Sequence, residues 1–334
     1  MSEERSGLEI LADVIRHHYD LGEVRKVEYL QDAHQRRHRK VVATTDAGTF
    51  LVKTYSTDPH ALDALRFQHR LSDHLDAHAL PVARIQRAID GKGIVEQGTW
   101  ALELQHFVEG APMVVNDGTL AVSAKALGRF HDVCREFPCP PRDAQMWRFS
   151  QVPRASFAKL YELARQLGDA AVVNEHCNAV ALFLHEAAGR LSPAHREQFE
   201  TGLIHGDWHG GNLLFSTTGL VAIVDLEFAG QGCYLEDLAY GISNLCIRTS
   251  KDTRQLGART DVLLDYYQMY RTLSPYEHIA LFYAVGVKHV ATVSYQITEM
   301  GGHVAGLDAF QWMGVLAAQC AWLSDRGRKV RGAD

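Results

Sequence analysis

The chain has 334 residues, 46% hydrophobic and 22% charged, which is ordinary globular composition and enough length for one large domain or two lobes. Its 34 Lys and Arg against 40 Asp and Glu leave a formal charge of −6, which argues against nucleic-acid binding or polybasic docking on a membrane. Six cysteines scattered without a C-x-x-C pair, a polar first turn without a signal-peptide pattern, and apolar runs interrupted by charge together predict a cytoplasmic protein with reduced thiols.

Ser6 and Glu9 read as a capping box, and Leu8, Leu11, Ile15 and Tyr19 form one helical stripe. The period then shortens. Runs 24–31, 40–45 and 50–55 are rich in β-branched and aromatic residues, with a tight turn at Asp46-Ala47-Gly48-Thr49. Asp58 and Pro59 predict the N-cap and first position of a second helix, with Leu62, Leu65, Leu71 and Leu75 on its apolar stripe. Two further strand-like runs, 83–89 and 100–105, flank an Asp90-Gly91 turn. After Pro112 the pattern is mostly helical, except for a short hairpin formed by 213–215 and 221–224. The tail from Arg326 onward is polar and reads as frayed. This layout predicts a sheet-containing lobe at 1–104, a connector at 105–112, and a helical lobe at 113–334, with ligands in a cleft between the lobes.

The chemistry concentrates in His205-Gly206-Asp207-Trp208-His209-Gly210-Gly211-Asn212, followed by Val224-Asp225-Leu226-Glu227 at the end of an apolar strand. Phosphoryl transfer needs these groups: one carboxylate to orient the attacking hydroxyl and take its proton, then a carboxylate and a neutral oxygen to hold Mg²⁺ on the nucleotide. The H-x-D-x-x-x-x-N spacing matches a kinase catalytic loop, and Asp225 stands where the metal-binding Asp of a kinase falls. Lys53 interrupts an otherwise apolar strand and so needs an anionic partner, such as nucleotide phosphates.

On these residues, together with Glu236-Asp237-Leu238-Ala239, the chain resembles the aminoglycoside phosphotransferase and choline kinase-like superfamily, nearest its homoserine-kinase-type branch. The resemblance spans about residues 20–300. It implies an α+β, protein-kinase-like two-lobed fold, with a small antiparallel-sheet N-lobe and a larger helical C-lobe. It also implies Asp207 as catalytic base, His205 as a brace for the loop and Asp237 as its anchor. Asn212, Asp225 and Glu227 would be metal ligands. Lys53 would bind the α/β-phosphates, and adenine would lie against the connector near Gln105 and Phe107. ATP with Mg²⁺ is the implied cofactor set, GTP being the other candidate nucleotide.

Two departures stand out. The helix position that normally supplies a glutamate to the lysine is Gln68, with Asp63 or Asp73 as substitutes if the register shifts by a turn. The loop at 32–38, Asp-Ala-His-Gln-Arg-Arg-His, also lacks the glycines that allow backbone to approach phosphates. Only eleven residues separate Asp225 from Asp237, leaving no room for a long activation segment. That favours a small hydroxyl-bearing acceptor: an amino alcohol, amino acid, sugar or aminoglycoside. A protein Ser/Thr kinase of the same superfamily and a nucleotide-binding pseudokinase are the alternatives. The oligomeric state, and which acceptor is used, do not follow from the sequence.

Overall fold

The computed structural model describes residues 2–30, 40–137, 153–248, 250–299 and 301–331. It is α+β, with an antiparallel sheet in the N-terminal region and helices through most of the C-terminal region. The chain divides into two compact units: Met1–Ala111 with Leu213–Glu227, and Pro112–Asn212 with Phe228–Asp334. Assignment of the 213–227 segment to the first unit is something linear order does not suggest.

The first unit opens with helix α1 (Ser2–His18), which begins four residues before the expected capping box at Ser6. Strands β1 (Val24–Tyr29), β2 (Val41–Thr45) and β3 (Gly48–Ser56) form a meander. Helix α2 (Pro59–Ala77) and strands β4 (Ile85–Gln86), β5 (Val95–Gln97) and β6 (Trp100–His106) follow. The sheet runs β1-β2-β3-β6-β4 with β5 also on β6, and every pairing is antiparallel. The run 83–89 forms only the two-residue β4, and the loop 32–38 lies outside the described residues.

Strand alternation gives the sheet two unlike faces. Phe50, Val52, Leu102 and Leu104 point into an apolar core with Ile15 of α1 and Tyr19 just beyond it, against which Leu8 and Leu11 also pack. Each such burial contributes about 1.5–3 kcal/mol. The intervening positions of β3 and β6 carry Lys53, Tyr55, Glu103 and Gln105. Asp58 caps α2 by accepting from the N–H groups of His60 and Ala61, and Leu62, Leu65, Leu71 and Leu75 are buried beneath it. The hairpin Leu213–Ser216 with Gly219–Ile223 is fastened to this unit by an Ile223 N–H donated to the Pro81 carbonyl at 2.8 Å.

The second unit is built from helices Asp117–Cys134, Arg154–Leu167, Ala170–Arg190, Tyr234–Gly241, Thr253–Tyr267, Pro275–Glu299 and Ala309–Arg331. A π-helical stretch, Ile242–Ile247, continues Tyr234–Gly241. Among the described residues no helix is long and apolar enough to cross a membrane. Two features differ from the sequence reading. Thr201–Ile204 pairs antiparallel with Gly230–Cys233, a glycine-rich strand of low β-propensity whose partner is distant in sequence. The basic tail is helical as far as Arg331, held where Arg328 meets Glu186 at 3.1 Å and Ser324 donates to the same carboxylate at 2.6 Å.

A buried ion pair organises the second unit. Arg271 and Glu277 have side chains no more than 1% exposed; Arg271 also donates to Glu200 at 2.9 Å and to the Tyr267 hydroxyl at 3.3 Å. Removing one partner strands a buried charge. Arg271→Met is therefore expected to cost about 3–5 kcal/mol of unfolding free energy, measured by urea titration. Glu277→Gln in the same chain should recover part of that loss.

Candidate active site

In the second unit, strand Thr201–Ile204 delivers the chain into a tight loop at His205–Asn212. Gly206 has φ +82°, and a Cβ there would sit 2.7 Å from the Phe228 carbonyl oxygen, so only glycine fits. Asp237 grips the loop from the start of helix Tyr234–Gly241: its carboxylate accepts the His205 N–H at 2.7 Å and the Gly206 N–H at 2.8 Å. Asp237 is itself held by His131 at 3.1 Å, whose other ring nitrogen is 2.9 Å from the Tyr267 hydroxyl. Burial lowers the His131 pKa below the ordinary histidine value against the pull of Asp237, so a neutral ring accepts from Tyr267 and donates to Asp237. A donor chain thus runs from Arg271 through Tyr267 and His131 to Asp237.

His205 is fully buried, edge-on to Phe130 and Trp208, and its Nδ1 accepts the Asp207 N–H at 3.2 Å. The Trp208 indole donates to Ser123 at 3.1 Å, pinning the loop's apolar side. Gly210 donates to the Asn244 side chain at 3.3 Å from the π-helical stretch, and its carbonyl accepts the Met113 N–H at 2.9 Å. The Asn212 amide donates to the Asp207 carbonyl at 3.1 Å and to its carboxylate at 3.0 Å. That leaves the amide oxygen of Asn212 as the atom suited to a hard cation.

Asp207 is 9% exposed, and its carboxylate lies 3.3 Å from the His209 ring. Burial pushes its pKa up, but His209 above all, with His205 and the Tyr240 hydroxyl, more than offsets this and holds it below the usual carboxylate value. Two neighbours were not singled out in the sequence. Tyr240 hydrogen-bonds Asp207, and the Lys288 ammonium lies 4.1 Å from the Tyr240 ring centroid. Desolvation pulls the Lys288 pKa down to about 8, against the opposing pull of Asp207, Glu236 and Asp237. A lysine inside the apolar helix Pro275–Glu299 was the available signal.

In the first unit, Lys53, Gln68, Gln105 and Asp225 line one recess, with His69 and Ser72 of α2. Lys53 Nζ stands 3.6 Å from Asp225 Oδ1, both side chains about a quarter exposed. Asp225 follows strand Gly219–Ile223 with φ +60°, a left-handed conformation rare outside glycine, Asn and Asp. Asp63 and Asp73 are engaged elsewhere, with Arg66 at 2.9 Å and with Arg87. Glu227 is exposed on the 3-10 turn Leu226–Phe228, and the Phe107 N–H is donated to the Thr49 carbonyl at 2.9 Å; neither residue lines the recess. Glu103, fully buried beside Lys53, was missed in the sequence.

A carboxylate kept ionised in an anchored loop, and a lysine–aspartate pair at the end of a sheet, are the parts of a kinase-type phosphotransferase. Comparison with known proteins agrees. The model of the phosphotransferase enzyme family matches residues 28–276. The homoserine kinase of Nitrobacter hamburgensis is 26% identical over 272 residues, covering 81% of this chain and 78% of that protein. The serine/threonine protein kinase RdoA of Salmonella typhimurium is 26% identical over 196 residues, covering 58% of this chain and 56% of its own. An aminoglycoside phosphotransferase from Alicyclobacillus acidocaldarius superposes with a TM-score of 0.73 at 18% identity, covering 96% of each chain. The chain belongs to the phosphotransferase enzyme family and is a kinase.

Two outcomes follow from the charges. Asp207 has a depressed folded-state pKa, so its contribution to stability is present above the ordinary carboxylate value and lost as pH falls through the lower one. His209→Ala should therefore raise the pH at which that contribution is lost, read from urea midpoints across the acid range. Lys288 shifts stability in the same direction in an alkaline window: the unfolded chain keeps its proton to about pH 10.4, whereas the fold releases it near 8. Its contribution to unfolding free energy thus rises with pH between those values. Urea midpoints on either side of that window should show the rise, and Lys288→Met should abolish it.

Proposed function

We propose that this kinase transfers the γ-phosphate of ATP, with Mg²⁺, to a hydroxyl of a small acceptor such as an amino acid, amino alcohol, sugar or aminoglycoside. The observation that carries this reading is the buried Asp207 carboxylate, held ionised and hydrogen-bonded by Asn212 in an anchored loop. Asp207 orients the acceptor hydroxyl and takes its proton as the oxygen bonds to the γ-phosphorus and the bond to the β-phosphate oxygen breaks. His205 and Asp237 hold the loop rather than react. Lys53 contacts the α/β-phosphates, and Gln68, Gln105 and Phe107 belong to the nucleotide side of the reaction.

The donor types suit a hard divalent cation: the Asp225 carboxylate keeps an ammonium at 3.6 Å, and the Asn212 amide and Glu227 carboxylate would be further oxygen ligands. When bound, Mg²⁺ neutralises charge on the phosphates. GTP is the second candidate nucleotide, separated from ATP by competition binding.

The similarity to a homoserine kinase supports an amino-acid-like acceptor and puts homoserine first in a panel of hydroxyl compounds. The similarity to RdoA supports a second reading, transfer to protein Ser or Thr, which radiolabel transfer to a generic protein acceptor would reveal. Failure to release ADP with every acceptor, small or protein, would point to a pseudokinase. Asp207→Asn is expected to lower turnover by at least about 10³-fold while nucleotide still binds. Asp225→Asn should abolish the Mg²⁺ dependence of binding as well. Full turnover by Asp207→Asn would remove it from the role of base.

A further inference from the structure

Lys53 lies in a strand whose family pattern calls for a carboxylate from the following helix, and Gln68 at that place cannot supply charge. The structure holds a carboxylate elsewhere. Lys53 and Glu103 are directly opposed residues on β3 and β6, so their side chains leave the sheet on the same face. Glu103 is fully buried. Tyr55, two residues along β3, donates its hydroxyl to Glu103 Oε1 at 2.8 Å, and Gln105, two along β6, donates to the same oxygen at 2.9 Å. The remaining oxygen bonds the ring of His69, the residue next to Gln68 on α2.

A buried carboxylate this well furnished with donors is held as an anion. Burial alone raises its pKa, but His69, Lys53 and Tyr55 together bring it below the ordinary value. A permanent negative charge inside the sheet is costly unless a cation answers it. His69 and the Lys53 ammonium are the groups placed to do so.

We propose that Glu103 is the positioning residue for Lys53, the strand-borne replacement for the helix carboxylate that Gln68 lacks. The inference rests on the reading of Lys53 as a nucleotide-phosphate ligand. In this arrangement the lysine's counter-charge belongs to the neighbouring strand instead of the following helix. Tyr55, Gln105 and His69 fix the carboxylate, and the carboxylate fixes the ammonium. His69 still links α2 to the charge, as a donor to it and not as its source.

The test is direct binding of a fluorescent ATP analogue, which needs no acceptor, together with KM for ATP and kcat. Glu103→Gln is nearly isosteric and should weaken nucleotide binding about tenfold, with KM for ATP rising more than kcat falls. Gln68→Glu added to Glu103→Gln should regain most of the affinity, a recovery that a merely structural role for Glu103 would not produce. Tyr55→Phe, which removes one hydrogen bond from the carboxylate and leaves its charge, should show a smaller loss of binding than Glu103→Gln. If Glu103→Gln does not fold, Glu103→Asp, which withdraws the charge by one methylene, should show a several-fold loss. Unchanged binding in whichever of these two variants folds, or no recovery with Gln68→Glu, overturns the assignment. Absence of nucleotide binding by the unsubstituted protein overturns the nucleotide-site reading beneath it, a distinct outcome.

Discussion

Two backbone N–H groups that share one carboxylate set the conditions for the second unit. His205 and Gly206 both donate to Asp237, at 2.7 and 2.8 Å, and nothing in that contact is open to water. Backbone donors buried without a partner are costly, so the loop and the start of helix Tyr234–Gly241 are obliged to stay together. Once the first two loop residues are held, the direction of Asp207 follows from Gly206, whose left-handed turn admits no side chain. The anchor is in turn supported by His131, Tyr267 and Arg271, so a buried ion pair far along the chain contributes to the aim of the candidate base. In such a network each member is worth more in company than alone.

The first unit solves a different problem with the same physics. Its sheet is apolar toward α1 and polar toward the recess, and the polar side is a connected set, not scattered side chains. Tyr55, Glu103, Gln105 and His69 form one hydrogen-bonded cluster, and Lys53 and Asp225 meet at its edge. Charge is tolerated inside this small unit because every buried polar atom of the cluster has a designated partner. The two units therefore contribute in different ways: one holds the candidate base through the backbone, the other holds a cation through side-chain anions.

Much of this was legible in the sequence wherever the determinant is local. Asp58-Pro59 marks a helix start, Asp46-Ala47-Gly48 a hairpin, and the H-x-D-x-x-x-x-N spacing a loop with its own internal hydrogen bonds. What escaped depends on pairing between distant segments. Glu103 reads as a stray polar residue in Trp100-Ala101-Leu102-Glu103-Leu104-Gln105 until the β3–β6 register sets it opposite Lys53. The strand Gly230–Cys233 carries almost no β signal and exists because Thr201–Ile204 offers it a ladder. The basic tail reads as frayed because its partners, Glu186 and Asp261, come from other helices. Lys288 sat in view, but its closeness to Tyr240 required two helices to pack.

The excursion of Leu213–Glu227 into the first unit has a bearing on how the protein is made. On a ribosome the N-terminal sheet emerges early, yet its recess lacks Asp225 until nearly half of the second unit's own sequence has been synthesised. Order of synthesis and order of completion are thus uncoupled: the earlier-born unit is finished late, by a segment flanked on both sides by the other unit's chain. Until then the Pro81 carbonyl lacks the Ile223 N–H it receives in the finished fold, and Lys53 lacks that aspartate.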